Sequence, residues 1–386
     1  MARHLLVTND FPPKVGGIQS YLYELWRRLE PGRAVILTAT SHDEAAAFDR
    51  DSELTIERVE SSTLFLPTPR ALRAVRSAIE RHQPDLVLFD PAWPLGLLGP
   101  FLSVPYGVIV HGAEVTIPGH LPVAAASMRA VLARACVVVA AGHYPEDQSR
   151  RIAADRLPHV IQAPPGVDVE RFQPLDAATR VRVRDELGIG DEEFALVTYS
   201  RLVPRKGFDT LIRASARLAP RYPRLRVYVG GGGRDRRRLE ALAVRLGAPV
   251  QFLGRVDDES LPAWLGAGDL FAMDCRSRWL GLEAEGFGIV FLEAEAAGLA
   301  TIAGRSGGSN EAVEHGETGL VLDNPHSVSA LADSIASLMD DPETRTRFAT
   351  RASAFVSEHF TWDAIAARLS LELAPFDHFD SATSVA

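Results

Sequence analysis

Short apolar runs recur along this chain, most followed by a stretch of helical periodicity. That alternation prescribes parallel sheets covered by helices on both faces, because parallel strands need a crossover rather than a tight turn. The first set of strand candidates is His4 to Asn9, Ala34 to Ala39, Leu54 to Val59, Leu86 to Phe89, Tyr106 to Val110, Cys136 to Ala140 and Val160 to Ala163. A Pro/Gly turn cluster, Pro164-Pro165-Gly166-Val167-Asp168, follows. The second set is Phe194 to Tyr199, Leu225 to Val229, Val250 to Leu253, Leu270 to Met273, Ala300 to Ala303 and Leu320 to Leu322. At 386 residues the chain exceeds what one core usually covers. Two doubly wound α/β domains, 1–167 and 168–361, are therefore expected to face each other across a cleft. The helical patterns Pro342 to His359 and Trp362 to Leu373 close the chain. The second, about 362–374, is expected to pack back on the first domain, and 375–386 reads as a tail whose end, Ser381 to Ala386, is frayed. Ligands of such sheets collect beyond the C-terminal ends of the strands, so functional residues belong in those loops.

With 46% hydrophobic residues, 24% charged and mean hydropathy near zero, the composition is that of a soluble globular chain. No apolar run approaches bilayer length. The start runs directly into a strand pattern with no room for a signal peptide, so a cytoplasmic location is expected. The net charge of −9 argues against general nucleic-acid binding. It is unevenly spread: residues 1–165 carry 16 basic and 17 acidic groups, the remainder 25 and 33. Only the near-neutral first half could approach an anionic surface without repulsion. Cys136 and Cys275 lie in or at the end of apolar strand patterns, where a free thiol behaves as a small hydrophobe.

Four segments carry chemistry. Glu285-Gly286-Phe287-Gly288-Ile289-Val290-Phe291-Leu292-Glu293 runs from a Gly-broken loop into a helix, with Glu285 before it and Glu293 about two turns inside. A helix N-terminus favours phosphate, and two carboxylates so spaced suit the ends of an elongated ligand such as a nucleotide sugar. An acidic first turn would by itself explain the pattern as well. Asn9 to Ile18 places Gly16 and Gly17 between a strand and the helix Gln19 to Leu29. That geometry lets phosphate approach, although without other support a tight turn before a helix is the better explanation, and the dinucleotide fingerprint is missing. Arg201 and Lys206, in Arg201-Leu202-Val203-Pro204-Arg205-Lys206-Gly207, follow a strand and suit a diphosphate, Arg as a fork and Lys as a point charge. His111 ends another strand, where it could donate to a sugar hydroxyl or serve only as structure. No Ser/His/Asp ordering, His-Glu-x-x-His or Cys cluster is present, so hydrolase and metal readings fall.

Together Thr8 to Ser20, Ser200 to Gly207, Glu285 to Glu293 and Ser306 to Glu311 resemble glycosyltransferase family 4 over nearly the whole chain. Within it the resemblance is to actinobacterial GDP-mannose-dependent phosphatidylinositol (monomannoside) mannosyltransferases. It implies a GT-B fold and a retaining hexosyltransferase that needs no cofactor or divalent metal. The donor would be a nucleotide sugar, GDP-mannose, and the acceptor a lipid-linked phosphatidylinositol mannoside. Carried over by position, Gly16 and Gly17 would face the diphosphate and Arg201 and Lys206 would grip it. Glu285 and the backbone N–H groups of Phe287, Gly288 and Ile289 would hold sugar and phosphate, with Val290 in the same turn. Glu293 would accept from the ribose, Val250 to Val256 would border the base, and His111 would sit by the reacting sugar. Asp10, Gln19 and Arg70 are acceptor-side candidates.

Three departures from that family's pattern bear on acceptor and base. Ala113 stands where a second His is usual, Asp90-Pro91-Ala92-Trp93 replaces a smaller segment, and Arg255 stands where Gly is common. Leu64-Phe65-Leu66-Pro67 followed by Arg70, Arg73, Arg76 and Arg81 reads either as a peripheral contact with an anionic membrane, at the inner face of the plasma membrane, or as an ordinary solvated face. Two other functions fit the same residues. One is a transferase using a UDP-sugar on a glycan or small molecule, and the other a catalytically inactive nucleotide-sugar binding protein.

Overall fold

The computed structural model describes residues 3–40 and 42–377, apart from the side chain of Leu280. The chain divides into two compact units: 1–165 together with 362–386, and 166–361. Gly166 and Val167 thus belong with the second unit, where the Val167 N–H donates to the Phe360 carbonyl at 2.8 Å.

The first unit holds seven parallel strands: β1 (His4–Thr8), β2 (Ala34–Ala39), β3 (Thr55–Val59), β4 (Leu86–Asp90), β5 (Tyr106–Val110), β6 (Val137–Ala140) and β7 (His159–Gln162), in the order β3-β2-β1-β4-β5-β6-β7. Residues β1, β4, β5 and β6 are buried throughout, as strands covered on both faces must be. The pleat divides them between two cores. Leu5, Val7, Val87, Phe89, Val108 and Val110 face one helical layer, while Leu6, Leu86, Leu88, Ile109, Val137 and Val139 face the other.

That second layer contains the helices Gly17–Trp26 and Trp362–Glu372. The C-terminal helix reaches it through Trp362, Ile365, Ala366 and Leu369, with the Tyr21 and Trp362 rings edge to face at 6.4 Å and Arg28 Nε on Asp363 at 2.9 Å. The supposed tail does not begin at 375. Ala374–Phe376 forms a short 3-10 turn, Phe376 packs on the same core, and Arg33 reaches Asp377 at 3.4 Å. Ser381 to Ala386 lies outside the described residues. The helix expected from Gln19 to Leu29 instead spans Gly17–Trp26, because Gly16 is its N-cap and residues 27–29 leave it as a turn.

In the second unit six parallel strands, β8 (Phe194–Tyr199), β9 (Leu225–Gly230), β10 (Val250–Gly254), β11 (Leu270–Met273), β12 (Thr301–Gly304) and β13 (Gly319–Leu322), run in the order β10-β9-β8-β11-β12-β13. Val197, Phe271, Met273 and Phe291 build one face, and Leu196, Val227, Val229, Leu270 and Ile302 the other. Both sheets change direction between adjacent central strands: β1 and β4 in one, β8 and β11 in the other. Loops leaving two such strands part to opposite sides and open a crevice at their C-terminal ends. No described helix is long and apolar enough to cross a membrane.

Leu369 has no exposed surface and lies in the core shared by the C-terminal helix and the first sheet. Leu369→Ala is expected to cost about 2–5 kcal/mol, read as an earlier urea midpoint of the first unit's tryptophan fluorescence.

Candidate active site

The first unit's crevice is built on a buried carboxylate. Asp90, the last residue of β4, is 1% exposed, and both its oxygens are engaged. Thr8, its register partner at the end of β1, donates from Oγ1 to Oδ2 at 2.7 Å, and His111 places Nε2 2.7 Å from Oδ1. Burial pushes the His111 pKa down, but the charge and hydrogen bond of Asp90, helped by Glu114 and Asp10, more than reverse this and hold it above its ordinary value. Asp90 thereby orients the ring and favours imidazolium. The Tyr21 ring meets His111 edge on at 5.1 Å, its hydroxyl spent on the Ala163 carbonyl. Glu114 accepts from the backbone N–H groups of His111 and Gly112, so the turn after β5 is held at both ends.

Asp10 and Gln19 come together as a latch across the glycine loop. Asp10 Oδ1 accepts from Gln19 Nε2 and from Lys14 Nζ, each at 2.5 Å. Around Gly17 nothing lies within 4 Å of a Cβ position, whereas at Gly16 a Cβ would meet Gln19 Oε1 at 2.3 Å. Among the described residues Arg70 makes no contact with Asp10 or Gln19; its guanidinium lies on the Glu60 carbonyl.

In the second unit the loop after β8 is shaped by close backbone approaches. A Cβ on Gly231 would sit 2.0 Å from the Ser200 carbonyl oxygen, and one on Gly207 1.9 Å from that of Asp274. Gly207 has φ +71°, which favours glycine independently of space. Arg201 projects exposed from this loop and pairs with no carboxylate among the described residues. Lys206 is 5% exposed, with Nζ 2.8 Å from Glu285 Oε2, and Arg205 pairs with the same oxygen. Burial pushes the Glu285 pKa up, but Lys206 and then Arg205 overrule it and hold the carboxyl below its usual range. Glu285 is therefore a carboxylate inside a nearly closed shell.

The Ser306 to Ser309 turn packs under this residue. Gly308 N–H donates to the Glu285 carbonyl at 3.0 Å, and a Cβ on Gly307 or Gly308 would fall 2.1 or 2.2 Å from the carbonyl oxygen of Glu285 or Gly286. Phe287 is buried, and Gly288, at φ +98°, caps the helix Ile289–Ala296 with no side chain on its first-turn N–H groups. Ile289 and Val290 open that helix, leaving amides available to an anion. Glu293 lies about one turn inside it, not two, because the helix starts at Ile289. It accepts from the Tyr199 hydroxyl, and burial raises its pKa to about 7 against a weaker pull from Arg171. Val256 lies against Gly230 and lines a pocket of about 10 Å³ with Tyr199, Tyr228 and Trp264. That is room for about one water, so a base would lie outside it.

Four contributors escaped sequence reasoning. Arg205 was hidden by its neighbour Lys206, Asp90 stood only as a departure from pattern, Tyr199 read as a strand residue, and Asp274 was not singled out. The last directly follows the apolar strand β11, which is the signal that could have found it. Asp274 is 1% exposed, neither carboxylate oxygen has a hydrogen-bond partner among the described residues, and burial pushes its pKa to about 8. Folding then retains a proton between about pH 4 and 8, so stability is lost as pH rises through that window. Asp274→Asn is expected to gain on the parent by up to about 1.4 kcal/mol per pH unit across it and to hold a constant lead above, read from thermal midpoints between pH 4 and 9.

The sequence matches the Glycosyltransferase Family 4 model over residues 15–171 and the Glycosyl transferases group 1 model over 180–355. It is 40% identical over 381 residues to the GDP-mannose-dependent alpha-(1-6)-phosphatidylinositol monomannoside mannosyltransferase of Mycobacterium tuberculosis, covering 96% of this chain and 97% of that one. It is 35% identical to the GDP-mannose-dependent monoacylated alpha-(1-6)-phosphatidylinositol monomannoside mannosyltransferase of Corynebacterium glutamicum, at 95% and 96% coverage. Among solved structures, HepE of Anabaena in complex with UDP superposes with a TM-score of 0.81 at 22% identity, covering 97% of this chain and all of that one. Sucrose-phosphate synthase of Thermosynechococcus elongatus gives 0.78 at 21%, covering 97% and 98%; both likenesses speak to the fold alone. With two parallel α/β units of GT-B type and a relative 40% identical along nearly its full length, the chain belongs to the family 4 glycosyltransferases.

Proposed function

We propose that this protein transfers mannose from GDP-mannose, with retention and without a divalent metal, to a phosphatidylinositol mannoside-type lipid. The observation that carries the reading is the cluster of Lys206, Arg205, Glu285 and the uncapped helix N-terminus at Gly288, all beyond the C-terminal ends of β8 and β11. Cations and free amides there match a departing diphosphate, the group on which negative charge grows in the transition state. Arg201, exposed on the same loop, supplies a second phosphate ligand. Glu293 accepts from ribose hydroxyls, and Glu285 from the transferred hexose.

The acceptor hydroxyl attacks from the face the diphosphate leaves, and a departing phosphate oxygen takes its proton. No side-chain nucleophile is then required. His111, its pKa held above the ordinary value by Asp90, stabilises charge near the reacting sugar, while Asp10 and Gln19 bind acceptor hydroxyls. The full-length relatives named for GDP-mannose and phosphatidylinositol monomannoside support this choice of donor and acceptor.

Membrane contact at the cytoplasmic face completes the reading. Phe65 and Leu66, 39% and 56% exposed, lead into the arginine face of the helix Pro69–His82. Those arginines are partly occupied, Arg76 by the Phe101 carbonyl at 2.8 Å and Arg81 by Glu57. A peripheral, salt-sensitive contact is therefore expected rather than stable anchoring.

Nucleoside diphosphate release from GDP-mannose, with and without phosphatidylinositol monomannoside and EDTA, tests the whole reading. Lipid-stimulated release that survives EDTA and drops by about 100-fold or more in Lys206→Ala is the expected outcome. Turnover of UDP-sugars without lipid, or sensitivity to EDTA, would sink the corresponding part.

A further inference from the structure

We propose that Arg205 is a positioning residue for the transfer: it keeps Glu285 ionised and in place when the donor's diphosphate draws Lys206 away. The inference rests on the donor reading above and goes beyond it, because it assigns two different tasks to adjacent cations that share one oxygen.

Lys206 and Arg205 both meet Glu285 Oε2, and the Cys275 thiol lies 3.9 Å from that atom. A phosphate entering at the Gly288 helix competes with Glu285 for these cations. Lys206 is the one suited to leave, since its ammonium is a compact charge on a flexible stem, whereas Arg205 can keep a planar fork on the carboxylate. Arg205 is also anchored from behind. Its carbonyl accepts from the Arg276 N–H at 2.8 Å, and the Arg276 guanidinium is held by Asp209 at 2.7 Å and Thr210 at 3.2 Å. This ties the loop after β8 to the loop after β11.

Among the described residues no cation other than Lys206 and Arg205 pairs with Glu285. Burial raises Cys275 to about 12, so it stays neutral, and Asp274 beyond it is held protonated to about pH 8. Arg276 is committed to Asp209. The Glu285 backbone is fixed independently, its carbonyl by Gly308 N–H at 3.0 Å and its N–H on Ser306 Oγ at 3.4 Å. Removing Arg205 therefore changes the protonation of Glu285 in the donor complex before it changes its position. A protonated Glu285 loses acceptor strength toward the hexose hydroxyls, so the effect falls on turnover rather than on donor capture.

The test is kcat and donor KM against pH, from 4.5 to 9, for the parent, Arg205→Met and Arg205→Lys with GDP-mannose and phosphatidylinositol monomannoside, with thermal midpoints alongside. For Arg205→Met the acid limb of kcat is expected to move up by about one pH unit or more. Its kcat at neutral pH should fall about tenfold or more, with donor KM changed less than about threefold and Arg205→Lys restoring the limb. Should Arg205→Met fail to melt cooperatively, Arg205→Gln carries the same comparison. An acid limb in the same place in parent and variant, with the parent active, overturns the role of Arg205 alone. A parent that turns over no sugar nucleotide removes the donor reading and this inference with it.

Discussion

Two neighbouring strands in the middle of a parallel sheet, sending their following loops to opposite sides, are the constraint on which both units depend. In the first unit β1 and β4 do this, and in the second β8 and β11. Apolar burial on both faces forces the pattern, since parallel strands must be joined by covering helices. The crevice that results is the one place where backbone amides, strand-end side chains and glycine turns can meet without interrupting the core. Thr8 meets Asp90 across one such boundary, and Gly207 meets the Asp274 carbonyl across the other.

What occupies the second boundary is a balance of opposed electrostatic effects. Burial drives Glu285 toward neutrality, and two cations on one oxygen reverse it. Removing one partner of a buried pair typically costs about 3–5 kcal/mol, because the remaining charge is stranded. A ligand carrying its own negative charge can take over one cation, provided the second stays. In nearby carboxyls burial outweighs the pull of a single cation, Arg171 on Glu293 and Arg276 on Asp274, so Glu293 rises to about 7 and Asp274 to about 8. Three acids in one loop system thus hold different charge states according to how far their partners offset burial.

The first boundary uses the same physics with the sign exchanged. Asp90, satisfied by Thr8 and His111, lends charge to an imidazole that burial would otherwise neutralise. The Asp10, Gln19 and Lys14 latch holds the glycine loop beside it, leaving Gly17 open to a ligand.

Much was legible from residues alone. Every strand candidate corresponds to a strand of the structure, because continuous apolar runs bounded by turns have few other fates in a chain of alternating elements. The positions of Arg201 and Lys206 after a strand, and of Glu285 and Glu293 around a helix start, were legible because glycines and apolar runs mark those boundaries locally. Helix registers were less so: Glu293 sits one turn into its helix and the first helix begins at Gly17, since caps set by glycine conformation are decided by neighbouring backbone. Asp90 under His111, Arg205 beside Lys206 on Glu285, and the unpartnered Asp274 depend on residues distant in the chain being brought to one strand boundary. Pattern and residue type determined the sheets and the glycine-bearing loops at the strand ends. Only tertiary structure decided which charges are buried, which are paired and therefore which are ionised, because burial and pairing are properties of neighbours rather than of sequence.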